Sequence, residues 1–526
     1  MKLFQNTSEK DSKLMACYST IPKNATYTSA AMQNEIMELL RRHTVSLVVD
    51  EIKCFNVHYF ILKCDGTRDL SNTENLAIVI RYLQNSRVLE NLVAMPTTQQ
   101  YDTETLADLI IKELTNLYID PKRMLSQCFD DAFVMPGKIG GIQRKIQNRL
   151  EKHIPYVHCL NHQLHLVVVN TIKRIPELAT FFDTVNILHN FIKRPKRASL
   201  WKGLKLPRLM EHRWSGHFTA IASVIENHSK IVGLLTECTD SSDSKTCIEA
   251  TGILHQVRSP RFVFLAFVLS KFLHINGPVD KQLQSHKCDI YHDLGLLKIA
   301  KSKITKLRNS LIFDEILKQM SRFNVIEERM CRKACGSRRF SDYVVESLVP
   351  SQDDWITSHR KIYFVIIDES LGVLDNRFSE QNDSIYSSLA SPRHFWILML
   401  LKPLSNLVNS DKSALLSEFS VAKAYISKQN MMTLLDIFGS LRIVQDAFPN
   451  VYPLYGAALT FGSSTATCES SFSTLTRIMT PFRRNMKHQR KPNLVILASL
   501  NKYKSSIEKD DILKSFALRC RRLQLY

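Results

Sequence analysis

The order of local patterns changes abruptly along this chain. Before about residue 160, short β-rich runs alternate with helical stretches, while from about Ala220 to Ser440 the strand signals mostly vanish and long helical patterns dominate. The β-rich runs are Val57–Cys64, Leu76–Leu83, Arg87–Met95, Met124–Phe129 and Tyr156–Cys159. Short polar connections separate the first three and predict antiparallel neighbours. Asp102 is placed to cap a helix whose apolar face holds Leu106, Leu109, Ile110, Leu114 and Leu117, with Glu104 at its positive end. Ile139, Ile142, Ile146 and Leu150 predict a second helix, and Leu164 to Ile175 a third. Upstream, Glu35 to Val49 has helical spacing with Ile36, Leu39, Leu40 and Val45 as its stripe. Three strands, helix, strand, helix, strand, helix is the order of a mixed α/β layer domain.

Bulk properties narrow the partners. The 70 basic and 50 acidic residues leave a net charge of +20, which favours a polyanion such as nucleic acid. Twelve cysteines occur without a C-x-x-C pair and read as reduced thiols. The run Phe262–Leu273 is interrupted by Lys271 and too short to span a bilayer, so it reads as a buried core helix and no membrane partner is expected.

Asp65 is expected to follow the first strand and Asp130 the fourth. Where those strands lie side by side, both carboxylates come to one sheet end. Asp is also a common turn former, so each acid alone carries little.

A longer pattern joins them. Ser463-Ser-Thr-Ala-Thr-Cys-Glu-Ser-Ser-Phe-Ser473, with Arg477-Ile478 and Phe482-Arg-Arg-Asn-Met486 behind it, resembles the C-terminal dimerisation segment of hAT-superfamily transposases. Cys64-Asp-Gly-Thr-Arg-Asp-Leu-Ser through Arg81-Tyr82 is similar to the N-terminal domain of hAT-derived proteins of the zinc finger MYM-type 1 kind. Gln127-Cys-Phe-Asp-Asp-Ala, His158-Cys-Leu-Asn-His-Gln-Leu-His-Leu166 and His212-Arg-Trp214 resemble further motifs of that family.

The resemblance implies an α/β architecture: an RNase H-like mixed sheet core split by a large all-α insertion and completed by a C-terminal helical dimerisation segment. The expected divisions are a polar segment 1–30, the first part of the core at 31–215, the insertion at 216–444, the dimerisation region at 445–505 and a basic tail at 506–526. It implies that Asp65, Asp130 and Glu469 are the three acids of a DDE site that would hold Mg²⁺, since converging carboxylates need a cation between them. It places His162, Arg213 and Trp214 near that site. Cys159, His162 and His165 resemble a partial zinc site without a fourth ligand, and a packed strand end and helix face is the favoured reading. Only Cys17 precedes Cys54, so no N-terminal zinc finger is expected.

Departures from the family pattern fall beside the chemistry. Val134 stands where Asn is usual, Pro136 where Ser is, Ser470 where Arg is, His212 where Thr is and His165 where Asn is. They favour a dimerising, DNA-associating nuclear protein over a working enzyme. An active Mg²⁺-dependent DDE transposase is the first alternative, and a helical interaction scaffold with no DNA role is the second. Lys193, Arg194, Lys196 and Arg197 form one basic cluster, with Lys202, Lys205 and Arg208 behind it. Arg483, Arg484, Lys487, Arg490 and Lys491 form another, and both suit salt-sensitive phosphate contact. The cluster at 193–197 equally suits a nuclear localisation signal or a plain solvated loop. Self-association is expected from residue 445 onward. Light scattering at micromolar concentration should give more than a monomer for the full chain and a monomer for a chain ending at 444. A monomer in both cases would refute it.

Overall fold

The computed structural model describes residues 16, 20, 29–54, 57–100, 102–130, 141–194, 206–207, 209, 215–285, 290–323, 352–379, 407–408, 411–428, 433–483, 486 and 489–518. They fall into two compact units. One comprises residues 1–159, 286–290 and 392–526, and the other residues 160–285 and 291–391.

The first unit opens with α1 (Ala30–Lys53), β1 (Phe60–Arg68), β2 (Glu74–Gln84), β3 (Arg87–Ala94), β4 (Thr97–Thr98), α2 (Thr103–Asn116), β5 (Met124–Phe129), α3 (Ile142–Leu150) and β6 (Tyr156–His158). The strands form one six-stranded sheet in the order β3-β2-β1-β5-β6, with β4 paired to β2. β1–β2 and β2–β3 are antiparallel, whereas β1–β5 and β5–β6 are parallel. The antiparallel pairs follow from tight turns. Asn85 and Ser86 both take positive φ, 48° and 59°, in the two-residue connection that sets Gln84 opposite Arg87, the backbone of a primed hairpin turn. The parallel pairs need crossovers, supplied by α2 and α3.

Asp102 caps α2 by accepting from the Thr105 N–H at 2.8 Å, and Leu106, Ala107, Ile110 and Leu114 are its buried side chains. In α1 the buried face is Thr44, Val45, Val48, Val49 and Ile52. Of the stripe expected there, Ile36, Leu39 and Leu40 are only half-buried. Packing on the sheet unit recruits the β-branched C-terminal half despite its lower helix propensity. The two-residue β4 is too short to leave a periodic signal.

The second unit contains α4 (Leu160–Arg174), α5 (Pro176–Ile192), α6 (Ser215–Glu226), α7 (His228–Thr239), α8 (Ser244–Val257), α9 (Pro260–Leu283), α10 (Ile290–Leu307), α11 (Ser310–Met320) and α12 (Gln352–Ser379). Its core is aromatic: Phe181 packs on Phe262 with ring centroids 4.8 Å apart, and Phe313 on Tyr363 at 5.7 Å. By length and composition α9 could cross a membrane. Its buried side chains include Phe264, Leu265, Val268, Leu269 and Phe272, all within the apolar core of this unit.

The chain returns to the first unit as α13 (Lys412–Ser427), α14 (Leu434–Ile443), α15 (Val451–Thr460), α16 (Ala466–Ile478), α17 (Arg490–Ser499) and α18 (Lys509–Ala517). Cys468, Leu475, Val495, Ile496 and Leu500 from this part join the core of the sheet unit.

Charge fastens this return. Glu90 on β3 is buried and meets Lys63 Nζ of β1 at 2.5 Å and an Arg81 guanidinium nitrogen of β2 at 2.7 Å. Arg81 Nε also donates to the Thr460 carbonyl at 2.9 Å and its NH2 to that of Leu459 at 3.3 Å. The Thr467 hydroxyl donates to Glu90 from above. A β-carbon on Gly462 would stand 2.8 Å from both the Arg81 Cδ and the Lys63 Cε, so only glycine lets the backbone pass this close. Burial alone would raise the Glu90 carboxyl, but Lys63 and Arg81 overcome it and hold it at about 2.

Removing one partner of such a buried cluster strands the others. Glu90→Gln should cost roughly 3–5 kcal/mol in denaturant unfolding near neutral pH, and adding Lys63→Met should recover part of that loss. Glu90 titrates below its ordinary 4.5, so its contribution is present above that pH and lost as pH falls through about 2. The gap between variant and wild type should close over that window. A gap below 1 kcal/mol at pH 7 would contradict the assigned role.

Candidate functional site

β1 carries the first acid. Asp65 does not follow the strand as expected; it lies inside it, opposite Ala77 of β2, because Gly66, Thr67 and Arg68 continue the antiparallel ladder to Glu74. Lys63 and Asp65, two residues apart on a strand, share a face. Asp65 is buried, at 7% exposure, and one of its carboxylate oxygens accepts the Gly66 N–H at 2.8 Å.

The other two acids come from separate elements. Asp130 directly follows β5, which pairs in parallel with β1 and sets Lys63 beside Cys128. Glu469 lies in the first turn of α16, where the positive helix end favours a carboxylate. The Thr467 bond to Glu90 fixes this turn over the sheet. The Thr465 N–H meets Cys159 Sγ at 3.3 Å and so ties the segment before α16 to the end of β6.

The electrostatics at Asp65 register this convergence. Its carboxyl is pushed well above the ordinary 3.8 by burial first, then by the negative charges of Asp130 and Glu469, against a small opposing effect of the Gly66 N–H. The Cys468 thiol is also raised, by burial and then by Asp65. Strands β1 and β5 and helix α16 thus bring three carboxylates into one electrostatic neighbourhood. Their oxygens suit a hard divalent cation in type. Among the described residues, however, no three His, Cys, Asp or Glu side chains stand close enough to hold a metal ion as they are.

The remaining expected residues divide. His162 lies half-buried on the first turn of α4, in the helical unit, with its ring 6.2 Å from that of His165. Cys159 is buried at the end of β6. Arg213, Trp214, Val134, Pro136 and His212 lie outside the described residues, as do Lys196, Arg197, Lys202, Lys205, Arg208, Arg484 and Lys487. Lys193 and Arg194 are exposed, and Arg194 makes a two-pronged surface pair with Glu249 at 2.7 and 3.0 Å. Arg483 is exposed at the end of a short 3₁₀ turn.

Lys491 requires a correction. Grouped with the basic cluster in the sequence, it is 1% exposed and its ammonium pairs with Asp69, in the loop between β1 and β2. Asp69 also accepts the Ser71 and Thr73 N–H groups at 2.8 and 3.1 Å. Burial would raise its carboxyl; Lys491 and these donors hold it well below the usual range. Lys491 is therefore an internal counter-charge, withdrawn from any phosphate surface. Arg490 next to it donates to Asn34 at 2.7 Å.

Sequence reasoning missed the residues that hold the acids in place: Lys63, Arg81, Glu90 and Lys491. For Lys63 and Arg81 the signal was present, since each interrupts an otherwise apolar strand run, where a lone charge is expensive unless paired.

The raised carboxyl at Asp65 has a sign that can be measured. A group whose pKa is raised on folding contributes stability at low pH and loses it as pH rises above the unfolded value, here 3.8, through the folded one. Asp65→Asn should therefore raise the metal-free melting temperature at pH 8 by a few degrees and have a smaller effect at pH 4. Millimolar Mg²⁺ should narrow the difference at pH 8. A variant less stable than wild type at pH 8 without metal would overturn the assignment.

Comparison with known proteins bears on the same regions. Residues 1–141 match a family model described as the ZMYM1/FAM200 RNase-like domain. Residues 422–500 match the hAT family C-terminal dimerisation region. The human protein named 52 kDa repressor of the inhibitor of the protein kinase is 21% identical over 308 residues, covering 53% of this chain and 39% of that protein. The chain thus spans about two-fifths of that relative's length. The chain carries a region similar to the ZMYM1/FAM200 RNase-like domain ahead of one similar to the hAT C-terminal dimerisation region.

Proposed function

We propose that this protein is a dimerising, DNA-associating nuclear protein that keeps the RNase H-like core of a hAT transposase without efficient transposition. The observation that carries the reading is the matched hAT dimerisation region in a chain whose buried Asp65 is raised in part by the charges of Asp130 and Glu469. The strand order β3-β2-β1-β5-β6, with its antiparallel first half and parallel second half, supports an RNase H-like core. Self-association has a candidate contact point in the matched region: Phe482 is 100% exposed, and apolar exposure of this kind suits a partner surface. Weak, non-specific DNA binding is supported by the net charge of +20 and by the exposed Lys193, Arg194 and Arg483. A nuclear site of action fits such a partner and a relative named as a repressor.

Asp65, Asp130 and Glu469 are the residues that would hold Mg²⁺. Bound there, the ion would supply charge neutralisation for phosphoryl transfer. The three side chains would first have to draw closer than they stand. Ser470, exposed beside Glu469, also brings no charge where the family pattern has Arg. Both points favour binding over catalysis. The second reading, a working DDE nuclease, is favoured by the charge coupling of Asp65 to Asp130 and Glu469.

One experiment separates them. Plasmid DNA is incubated with the full chain and Mg²⁺ or Mn²⁺, with binding and nicking read in parallel. The proposal expects binding that weakens by at least about tenfold between 50 and 200 mM salt, and no metal-dependent nicking. Nicking that is lost in Asp130→Ala and Glu469→Ala would replace it with the enzymatic reading. Salt-independent affinity would contradict DNA association through phosphates.

A further inference from the structure

The helical unit holds a cavity of about 570 Å³, far larger than a water site and within the range of small-molecule pockets. It lies where α9 is least regular. Pro278 inside α9 removes a backbone N–H, and a β-carbon at Gly277 would meet nothing within 4 Å, so the helix surface there is bare. Leu164 and Val168 of α4, Phe218 of α6 and Leu273 of α9 give it apolar walls.

Its polar groups are unevenly equipped. Asn276 lines the cavity and is only 5% exposed. Its side-chain N–H donates to the Phe272 carbonyl at 3.2 Å, while its Oδ1 is buried without a hydrogen-bond partner. One helical turn on, Asp280 also lines the cavity and accepts from Gln284 Nε2 at 3.1 Å. Burial pushes its carboxyl up to about 6, with the Gln284 bond opposing. The Asn276 oxygen is closed off from the cavity, whereas the desolvated Asp280 carboxylate calls for N–H groups and positive charge. His165 of α4 and His274 and Lys281 of α9 line the same space. The exposed Lys281 and His274 stand at the solvent side.

We propose that this cavity binds a small organic cation, an ammonium group carried on an apolar body. The ammonium meets the Asp280 carboxylate, and the body packs between Phe218, Leu273 and the α4 side chains. The site belongs to the helical unit and does not depend on the reading of the sheet-unit acids.

The test is calorimetric titration of the full chain with 2-phenylethylamine and with its neutral counterpart 2-phenylethanol. The amine should bind the wild type at least about tenfold more tightly than the alcohol, the advantage expected of a hydrogen bond to a charged group. Asp280→Asn keeps the shape and removes the charge, so it should abolish that advantage while leaving the alcohol unaffected. Thermal melts should confirm that Asp280→Asn folds. Equal binding of the two probes to wild type, no binding of the amine, or an amine advantage that survives Asp280→Asn would each overturn the proposal.

Discussion

The buried contact of Glu90 with Lys63 and Arg81 is the interaction on which the sheet unit depends. Three adjacent strands each contribute one charge to it, and the side chains are at most 4% exposed. Charges so far from water are tolerated only when paired and hydrogen-bonded throughout. The remaining donors of Arg81 and the remaining acceptor capacity of Glu90 are met from a segment almost four hundred residues downstream: the carbonyls of Leu459 and Thr460 and the Thr467 hydroxyl. The cluster therefore cannot be completed by the N-terminal strands alone. Its cost is the means by which a distant stretch of chain is selected and held in register.

The placement of Glu469 follows from where that stretch is held. Thr467 is bound to Glu90, and two residues on, Glu469 comes within electrostatic reach of Asp65. The positive charges of the frame satisfy Glu90, while Asp65, two residues beyond Lys63 on the same strand, is left with two negative neighbours, Asp130 and Glu469. One set of charges is neutralised within the fold and serves structure. At the other, burial and the charges of Asp130 and Glu469 oppose ionisation of Asp65. Lys491 and Asp69 repeat the first arrangement at the β1–β2 loop and fasten α17 as the frame fastens α16.

Legibility in the sequence tracked how local the determining physics is. Met124–Phe129 coincides with β5, and the Asn85-Ser86 turn and the Asp102 cap are fixed by a few neighbouring residues. The side-by-side pairing of β1 and β5 followed from the expected fold order. The end of β1 was misjudged, because Asp-Gly-Thr looks like a turn while the partner strand β2 keeps pairing through Arg68. The expectation that Glu469 is the third acid came from a motif and not from periodicity, since nothing local to residue 469 points to Asp65. Lys491 was the least legible. A cation on a helix surface and one inside a charge cluster are the same letter, and only tertiary burial tells them apart.

The central claim is that the C-terminal helix α16 brings Glu469 close enough to oppose ionisation of Asp65. It is tested most directly by titrating the Asp65 carboxyl by carbon NMR in wild-type protein and in Glu469→Gln, both without divalent metal. The account predicts an Asp65 pKa above the ordinary 3.8 in wild type and a distinctly lower one in the variant. An Asp65 carboxyl that titrates identically in the two proteins, or at an ordinary value in both, would contradict it.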